Sequence, residues 1–521
     1  MRSRLVAHGA AFAILVALSA SACAQAKLDA SLNADGMHAV FVQAKRQLFG
    51  PGGFDDFCEE HASAARRELR KKVQGELRSI AKETAGEWRS LVEELTESKA
   101  IREVREHWIV NGFSCRASKE ACARLAAHEA VDFVFAQTLF DPPARPAARL
   151  TERQTLEMQT RLGVVSKAPP EITAEDLFEL DIPWNLDRIG APKAWPHATG
   201  KGVIIAMIDS GVCDTPALTG ALWVHRAETL DGENPNGKDD DGNGYVDDLF
   251  GWDFANGNGY VIRDSSGHGS MCASIAAGRP ALGAACGVAP GARLMILRGG
   301  GRLETYEYAL ANGADVISMS YMWVQRALGN YRAVYRLAHE HLCAAGIVAV
   351  GGAGNFAKTA PTGKQIALPK DIPCVLAAAG ILEDGSLAPQ SSRGPVSWSD
   401  VRGYESAPTP QKPDVTACFG GYPVWAPSSS RSRPGWKVLE TAGDGSRIIG
   451  PRGNSFSGPH VAGTAALVLD ANPDLPAWRV NQIIRSTCHD LGAEGVDDEY
   501  GAGLLRADKA VQAAIAARKE R

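Results

Sequence analysis

The run Gly453-Asn454-Ser455-Phe456-Ser457-Gly458-Pro459-His460-Val461-Ala462-Gly463 sets a serine ahead of turn-forming residues, a proline and an Ala-rich apolar stretch from Thr464 to Leu469. Proline fits the first turn of a helix. Ser455 is therefore expected at the mouth of a buried helix, among backbone N–H groups that lack helical acceptors. That setting suits a nucleophilic oxygen and the oxyanion formed by its attack. A serine hydroxyl needs a base near neutral pH. His268, in Ser265-Ser266-Gly267-His268-Gly269-Ser270, is the candidate. Further upstream, the apolar run Gly202 to Ile208 ends in Asp209-Ser210-Gly211. It reads as a strand buried on both faces, with Asp209 at the carboxyl end, where open α/β sheets place their sites. Carboxylate, imidazole and hydroxyl then form a relay. His268 takes the proton of Ser455, and Asp209 holds the imidazole in the useful tautomer. Singly, these residues read as a turn residue, a structural histidine and a helix cap; their joint occurrence points to chemistry.

A second chemical pattern lies between the Asp209 and His268 segments. Asp239-Asp240-Asp241-Gly242-Asn243-Gly244-Tyr245-Val246-Asp247-Asp248 alternates carboxylates with turn-forming glycines. Such a loop suits a hard cation with oxygen ligands. Asp239, Asp241, Asn243 and Asp247 would offer side chains and Tyr245 its carbonyl. Phe250 stands where an EF-hand has its last acidic ligand, so this is no helix–loop–helix site. The plainer reading is a solvated acidic turn.

Taken together, Asp209-Ser210-Gly211, Gly267-His268-Gly269 and Gly453 to Gly463 resemble the Asp, His and Ser blocks of the subtilisin-like serine peptidases, or subtilases. Gly287-Val288-Ala289-Pro290-Gly291-Ala292, Val350-Gly351-Gly352-Ala353-Gly354-Asn355, and Ser391 to Pro395 with Lys412 to Val415 agree with that family in the same order. The resemblance runs from about Leu180 to Lys509. It implies an α/β fold with a mostly parallel central sheet flanked by helices. It implies endopeptidase action on protein or peptide substrates through an acyl-enzyme on Ser455. The Asn355 amide and the Ser455 N–H would hold the oxyanion. Calcium is the cation such acidic runs suggest in subtilases. Ser320, Tyr321 and Met322 resemble the strand that pairs with substrate, with Gly352 on the Asn355 side. The family usually has glycine where Met322 stands, so a narrowed specificity pocket is expected. Asn454 replaces the usual threonine before the nucleophile, and Met271 a frequent second histidine.

These residues need a scaffold, and the 521-residue chain is long enough for more than one domain. From Trp184 onward, apolar strands alternate with helical stretches, as in a parallel α/β sheet. Between Ala62 and Ile109, apolar residues recur at helical intervals, and Glu120 to Phe140 reads as one further helix. The expected division is an export signal over 1–26, a mainly helical N-terminal region over 27–144, a linker over 145–183 and the peptidase domain over 184–515. In the family, a segment placed like the helical region is often a removable propeptide, but that unit is a small mixed α/β fold. A retained accessory domain is the alternative.

Arg2 and Arg4, the apolar core from Ala10 to Ala20 and the small residues around Ala22-Cys23-Ala24 read as a secretory leader. Secretion or delivery to the periplasm follows. A lipoprotein anchored at Cys23 is the second reading. No later stretch is long enough to span a bilayer. The net charge of −5 and the lack of a long basic run argue against a nucleic-acid partner. Beyond Cys23 there are ten cysteines, three before and seven within the peptidase region, so either both keep a free thiol or a bridge joins them. Two other classes compete with this reading. An esterase usually carries its serine first, on a Gly-x-Ser-x-Gly elbow. An exported scaffold could keep the fold and lack turnover.

Overall fold

The computed structural model describes residues 27–137, 148–166, 172–229, 234–324, 327–428, 430 and 436–519. The expected leader with Cys23, and the Ala168-Pro169-Pro170 portion of the linker, lie outside them.

The N-terminal unit begins with strand β1 (Met37–Ala44), the short helix α1 (Phe54–Glu60) and the long helix α2 (Arg66–Glu97). Strands β2 (Ile101–His107) and β3 (Gly112–Ser118), helix α3 (Lys119–Ala127) and strand β4 (Val131–Ala136) follow. The four strands form an antiparallel sheet in the order β2-β3-β1-β4. Setting α1 aside, this is the β-α-β-β-α-β arrangement of split βαβ folds. Helix outweighs strand in this region, as expected, and its helices pack on a four-stranded sheet that the sequence reading did not name. Glu120 to Phe140 is not one helix. Ser118 Oγ caps α3 through Ala121 N–H, the helix stops at Ala127, and Val131, Phe133 and Phe135 are buried in β4. Their spacing of two residues marks a strand face. Within the expected linker lies helix α4 (Glu152–Ser166).

The second sheet has seven strands, all paired in parallel, in the order β11-β10-β9-β8-β5-β7-β6. They are β5 (Ile204–Asp209), β6 (Gly251–Asp253), β7 (Arg293–Arg298), β8 (Val316–Met319), β9 (Val348–Gly352), β10 (Leu376–Ile381) and β11 (Val415–Cys418). Their near-continuous Val, Ile, Leu and Ala runs are buried because helices cover the sheet. The flanking helices are α5 (His268–Ala277), α6 (Leu303–Ala311), α7 (Arg332–Ala344), α8 (Gly458–Ala471), α9 (Ala477–Ser486) and α10 (Ala507–Lys519). Helices α5 and α8 meet closely because Gly463 has no Cβ; one there would lie 2.8 Å from Ala276 O. Strands β12 (Val424–Ala426), β13 (Lys437–Thr441) and β14 (Arg447–Gly450) form a small antiparallel sheet ordered β12-β14-β13.

The N-terminal unit docks on the α6 and α7 side of the large sheet. Arg66 and Arg70 pair with Asp315, just before β8, and Arg105 pairs with Glu304 on α6. Glu307 accepts the N–H of Ile109 at 2.9 Å and also that of Trp108. Among the described residues, no helix is long and apolar enough to cross a membrane, and the ten cysteines are free thiols.

Candidate active site

The order of strands in the large sheet reverses around β5, because the chain goes from β5 to β7 on one side and then to β8 on the other. Ligand crevices form at such points, beyond the carboxyl ends of strands. Asp209 closes β5 there. His268 opens α5, and Gly267 before it adopts φ 74°, a left-handed turn that aims the imidazole back toward β5. His268 Nδ1 and Asp209 Oδ1 are 2.7 Å apart. Burial opposes the charge on this imidazole, and Asp209 overrides burial, so the His268 pKa stands well above its ordinary value. Burial also opposes the charge on Asp209, yet His268 and the Ser210 donors hold that carboxyl below its usual range.

Ser455 lies in the tight turn just ahead of α8, with Pro459 in the first turn of the helix. Its neighbour Phe456 packs its ring 5.3 Å from the His268 ring. The Ser455 carbonyl accepts from Ser320 Oγ at 2.9 Å and from the Cys272 thiol at 3.4 Å. Cys272, one turn beyond His268, thereby touches both partners, with its sulfur 3.9 Å from His268 Nδ1. Among the described residues, no hydrogen bond joins Ser455 Oγ to His268. In substrate-free sites that bond is often long and closes only in the complex.

Asn355 follows β9. Its Oδ1 accepts the N–H of Asn454 at 2.8 Å, which leaves Nδ2 as a donor at the nucleophile turn. Asn454 is fully buried and donates to Gly354 O at 2.7 Å and to Ser391 Oγ at 2.9 Å. It ties the serine turn to the Asn355 loop. Gly352 serves that same packing, since a Cβ there would lie 1.9 Å from Asn454 O. Past β8, the phenol of Tyr321 meets that of Tyr306 at 2.5 Å, and its carbonyl accepts from the buried Lys370 ammonium. Met322 packs on Ala353, Ile366, Ala377 and Val396, beside Gly354.

The acidic loop is brought together only in part. Asp239 and Asp241 meet Glu228, with one carboxylate oxygen from each lying within 4.8 Å of the others. Glu228 is fully buried, and among the described residues its Oε2 has no hydrogen-bond partner. That orphaned oxygen beside two acidic groups fits a hard cation. Asp247 instead turns to the N–H groups of Asn236 and Gly237. Asn243 Oδ1 accepts from Tyr245 N, and the Tyr245 ring stacks edge-on against Trp252 and Tyr308. Sequence reasoning named Asp247 and missed Glu228, which lies outside the Asp/Gly/Asn run. It also missed Cys272 and the anchoring role of Asn454.

Residues 200–503 match the profile of the subtilase family, and the chain belongs to that family. It is 26% identical over 476 residues to bacillopeptidase F of Bacillus subtilis, covering 87% of this chain and 29% of that protein. It is 29% identical over 359 residues to a calcium-dependent protease of a Nostoc species, covering 63% of this chain and 48% of that protein. The chain thus spans less than half the length of either relative. The crystal structure of fervidolysin from Fervidobacterium pennivorans shares the fold, with a TM-score of 0.54 at 19% identity, covering 92% of this chain and 61% of that one. Family and relatives together support a serine-type peptidase.

Proposed function

We propose that the chain is an exported serine endopeptidase in which Ser455 attacks the peptide carbonyl, His268 moves the proton and Asp209 orients His268. The observation that carries this reading is the 2.7 Å contact of His268 Nδ1 with Asp209 Oδ1, beside the turn that holds Ser455. His268 takes the hydroxyl proton as the acyl-enzyme forms, then gives it to the leaving amine. Asn355 Nδ2 and the Ser455 N–H stabilise the oxyanion. Ser320, Tyr321 and Met322 line the path of an extended peptide, and Met322 favours small side chains next to the scissile bond. A fluorophosphonate probe tests the proposal. It is expected to label the wild type at Ser455 and to leave Ser455→Ala unlabelled. An unlabelled wild type would instead make the chain a silent scaffold.

The acidic loop with Glu228 is read as a structural calcium site, in keeping with its buried, unpartnered oxygen and with the name of the Nostoc relative. Glu228, Asp239 and Asp241 would hold the ion, and the reaction itself needs none of them. The N-terminal unit, a mixed α/β fold docked on α6 and α7, is read as a propeptide-like unit. N-terminal sequencing of the mature protein distinguishes removal from retention.

A further inference from the structure

Behind the Asp209–His268 pair lies a second carboxylate. Asp264 is 1% exposed, on the loop just before α5. Its Oδ1 accepts from Ser210 Oγ at 3.0 Å, Ser266 N at 3.1 Å, Ser266 Oγ at 3.0 Å and Gly267 N at 2.9 Å. Its Oδ2 accepts from Ser270 N at 2.9 Å and Ser270 Oγ at 2.8 Å. All six donors are neutral. Three of them are backbone N–H groups, which can only donate, and donors to a carboxylate make the stronger class of hydrogen bond.

The donors flank the two members of the pair. Ser210 follows Asp209, gives it an N–H at 2.7 Å and holds its hydroxyl 3.2 Å from the same Asp209 oxygen. Ser210 Oγ also receives the N–H of Gly269 at 3.0 Å, and Ser266 Oγ receives the N–H of His268 at 3.1 Å. Ser270 Oγ receives the N–H of Cys213, back on the Asp209 side. Asp264 therefore reaches Asp209 through Ser210, and reaches His268 through Ser266, Gly267 and Ser270. Its own backbone is held too, with its N–H on Cys213 Sγ at 3.1 Å.

A buried charge is a poor way to add stability, because an apolar residue of like size would avoid the desolvation cost. What six directed donors add is register. They hold the loop after β5 and the loop before α5 at one mutual angle, and that angle sets where the imidazole stands relative to the Ser455 turn. We propose that Asp264 is a positioning residue for the reaction, a hub that fixes the Asp209 and His268 loops relative to each other. The proposal rests on the serine peptidase reading above. Asp264 touches neither substrate nor reacting atoms.

Asp264→Asn tests it in the full chain. The amide keeps the size but sets its NH2 against N–H donors on one side or the other. The expected result is a kcat lower by about 10²-fold, the scale of a small misplacement of reacting groups, with KM for a peptide substrate nearly unchanged. A second readout needs no turnover: the titration of the His268 ring followed by NMR. Asp209 at the end of β5, Cys272 on α5, Arg298 on β7 against the Ser210 carbonyl, and Cys213 behind Asp264 all stay in place in the variant. Only one negative charge is lost, so His268 should titrate at lower pH, and the acid limb of kcat/KM should move with it. A residue that merely held the fold would lower the melting temperature and leave kcat of the folded variant unchanged. If Asp264→Asn fails to fold, Ser210→Ala removes only the bridge to Asp209 and is expected to lower kcat about tenfold. Unchanged turnover in the folded variant overturns the proposal, whatever the His268 titration does. A wild type that neither cleaves peptides nor takes the fluorophosphonate overturns the peptidase reading instead, while the His268 titration still reports on Asp264.

Discussion

At Asn355 one hydrogen bond decides what the side chain can do. Its oxygen is occupied by the Asn454 N–H, so the amide nitrogen faces the serine turn. If it donates to the oxyanion, Asn355→Ala should slow kcat by about 10²–10³-fold, or about 2.7–4 kcal/mol, with KM little changed. A variant that loses only apparent affinity would contradict that role. His268 gives a pH prediction. Burial alone would lower its pKa, but Asp209 raises it well above 6.5. A protonated imidazole is no base, so activity is lost below that raised pKa and gained as pH climbs through it. The acid limb of kcat/KM should therefore have its midpoint above 6.5, and a rate profile over pH checks this. Asp209, His268, Ser455 and Asn355 could be picked out of the sequence as candidates because each sits in a short run whose neighbours have local tasks. Asp264 was not. Nothing next to it in the chain shows that Ser210, more than fifty residues away, points its hydroxyl at it.

Among the elements, helix α2 and strand β8 meet through Asp315. Asp315 takes Arg66 and Arg70 on one oxygen and the Ile204 N–H on the other at 2.9 Å. The Arg66 and Asp315 side chains are both only 7% exposed, so the pair is held in a poorly solvated seam. Asp315→Ala would strand Arg66 there without its partner, a loss of about 3–5 kcal/mol for a buried pair. The expected outcome is a lower melting temperature and faster protease attack on α2. A variant as stable and as resistant as the wild type would show that docking is held elsewhere. Strand β5 was readable because both-face burial writes an unbroken apolar run from Ile204 to Ile208. The N-terminal sheet was not. The charged residues of β2 keep one face exposed, and β4 is too short for its alternation to outweigh the helical stretch before it.

For the whole molecule, the acidic loop links cation, pH and stability. Burial, with Asp248 nearby, pushes the Glu228 carboxyl up from 4.5 to about 7. An acid raised in the folded state contributes stability that is present below its unfolded pKa and lost as pH rises through the folded one. Without a cation the loop should therefore weaken the fold more at pH 8 than at pH 5. A bound calcium ion would offset that loss, by about 2.7 kcal/mol at a hundredfold excess over its dissociation constant. Chelation should then lower the melting temperature by several degrees at pH 8 and little at pH 5. Scanning calorimetry with and without chelator reads this directly, and equal melting at pH 8 would remove calcium from the account.

The amino-acid sequence by itself determined the order of the candidate reactive groups and the kind of sheet that carries them, because these follow from residue types, near neighbours and apolar periodicity. Only the tertiary structure decided that Asp264 joins two loops, that Glu228 completes the acidic cluster and that a split βαβ unit covers α6 and α7. Those depend on directed contacts between groups far apart in the chain, and no local pattern encodes the direction of such a contact.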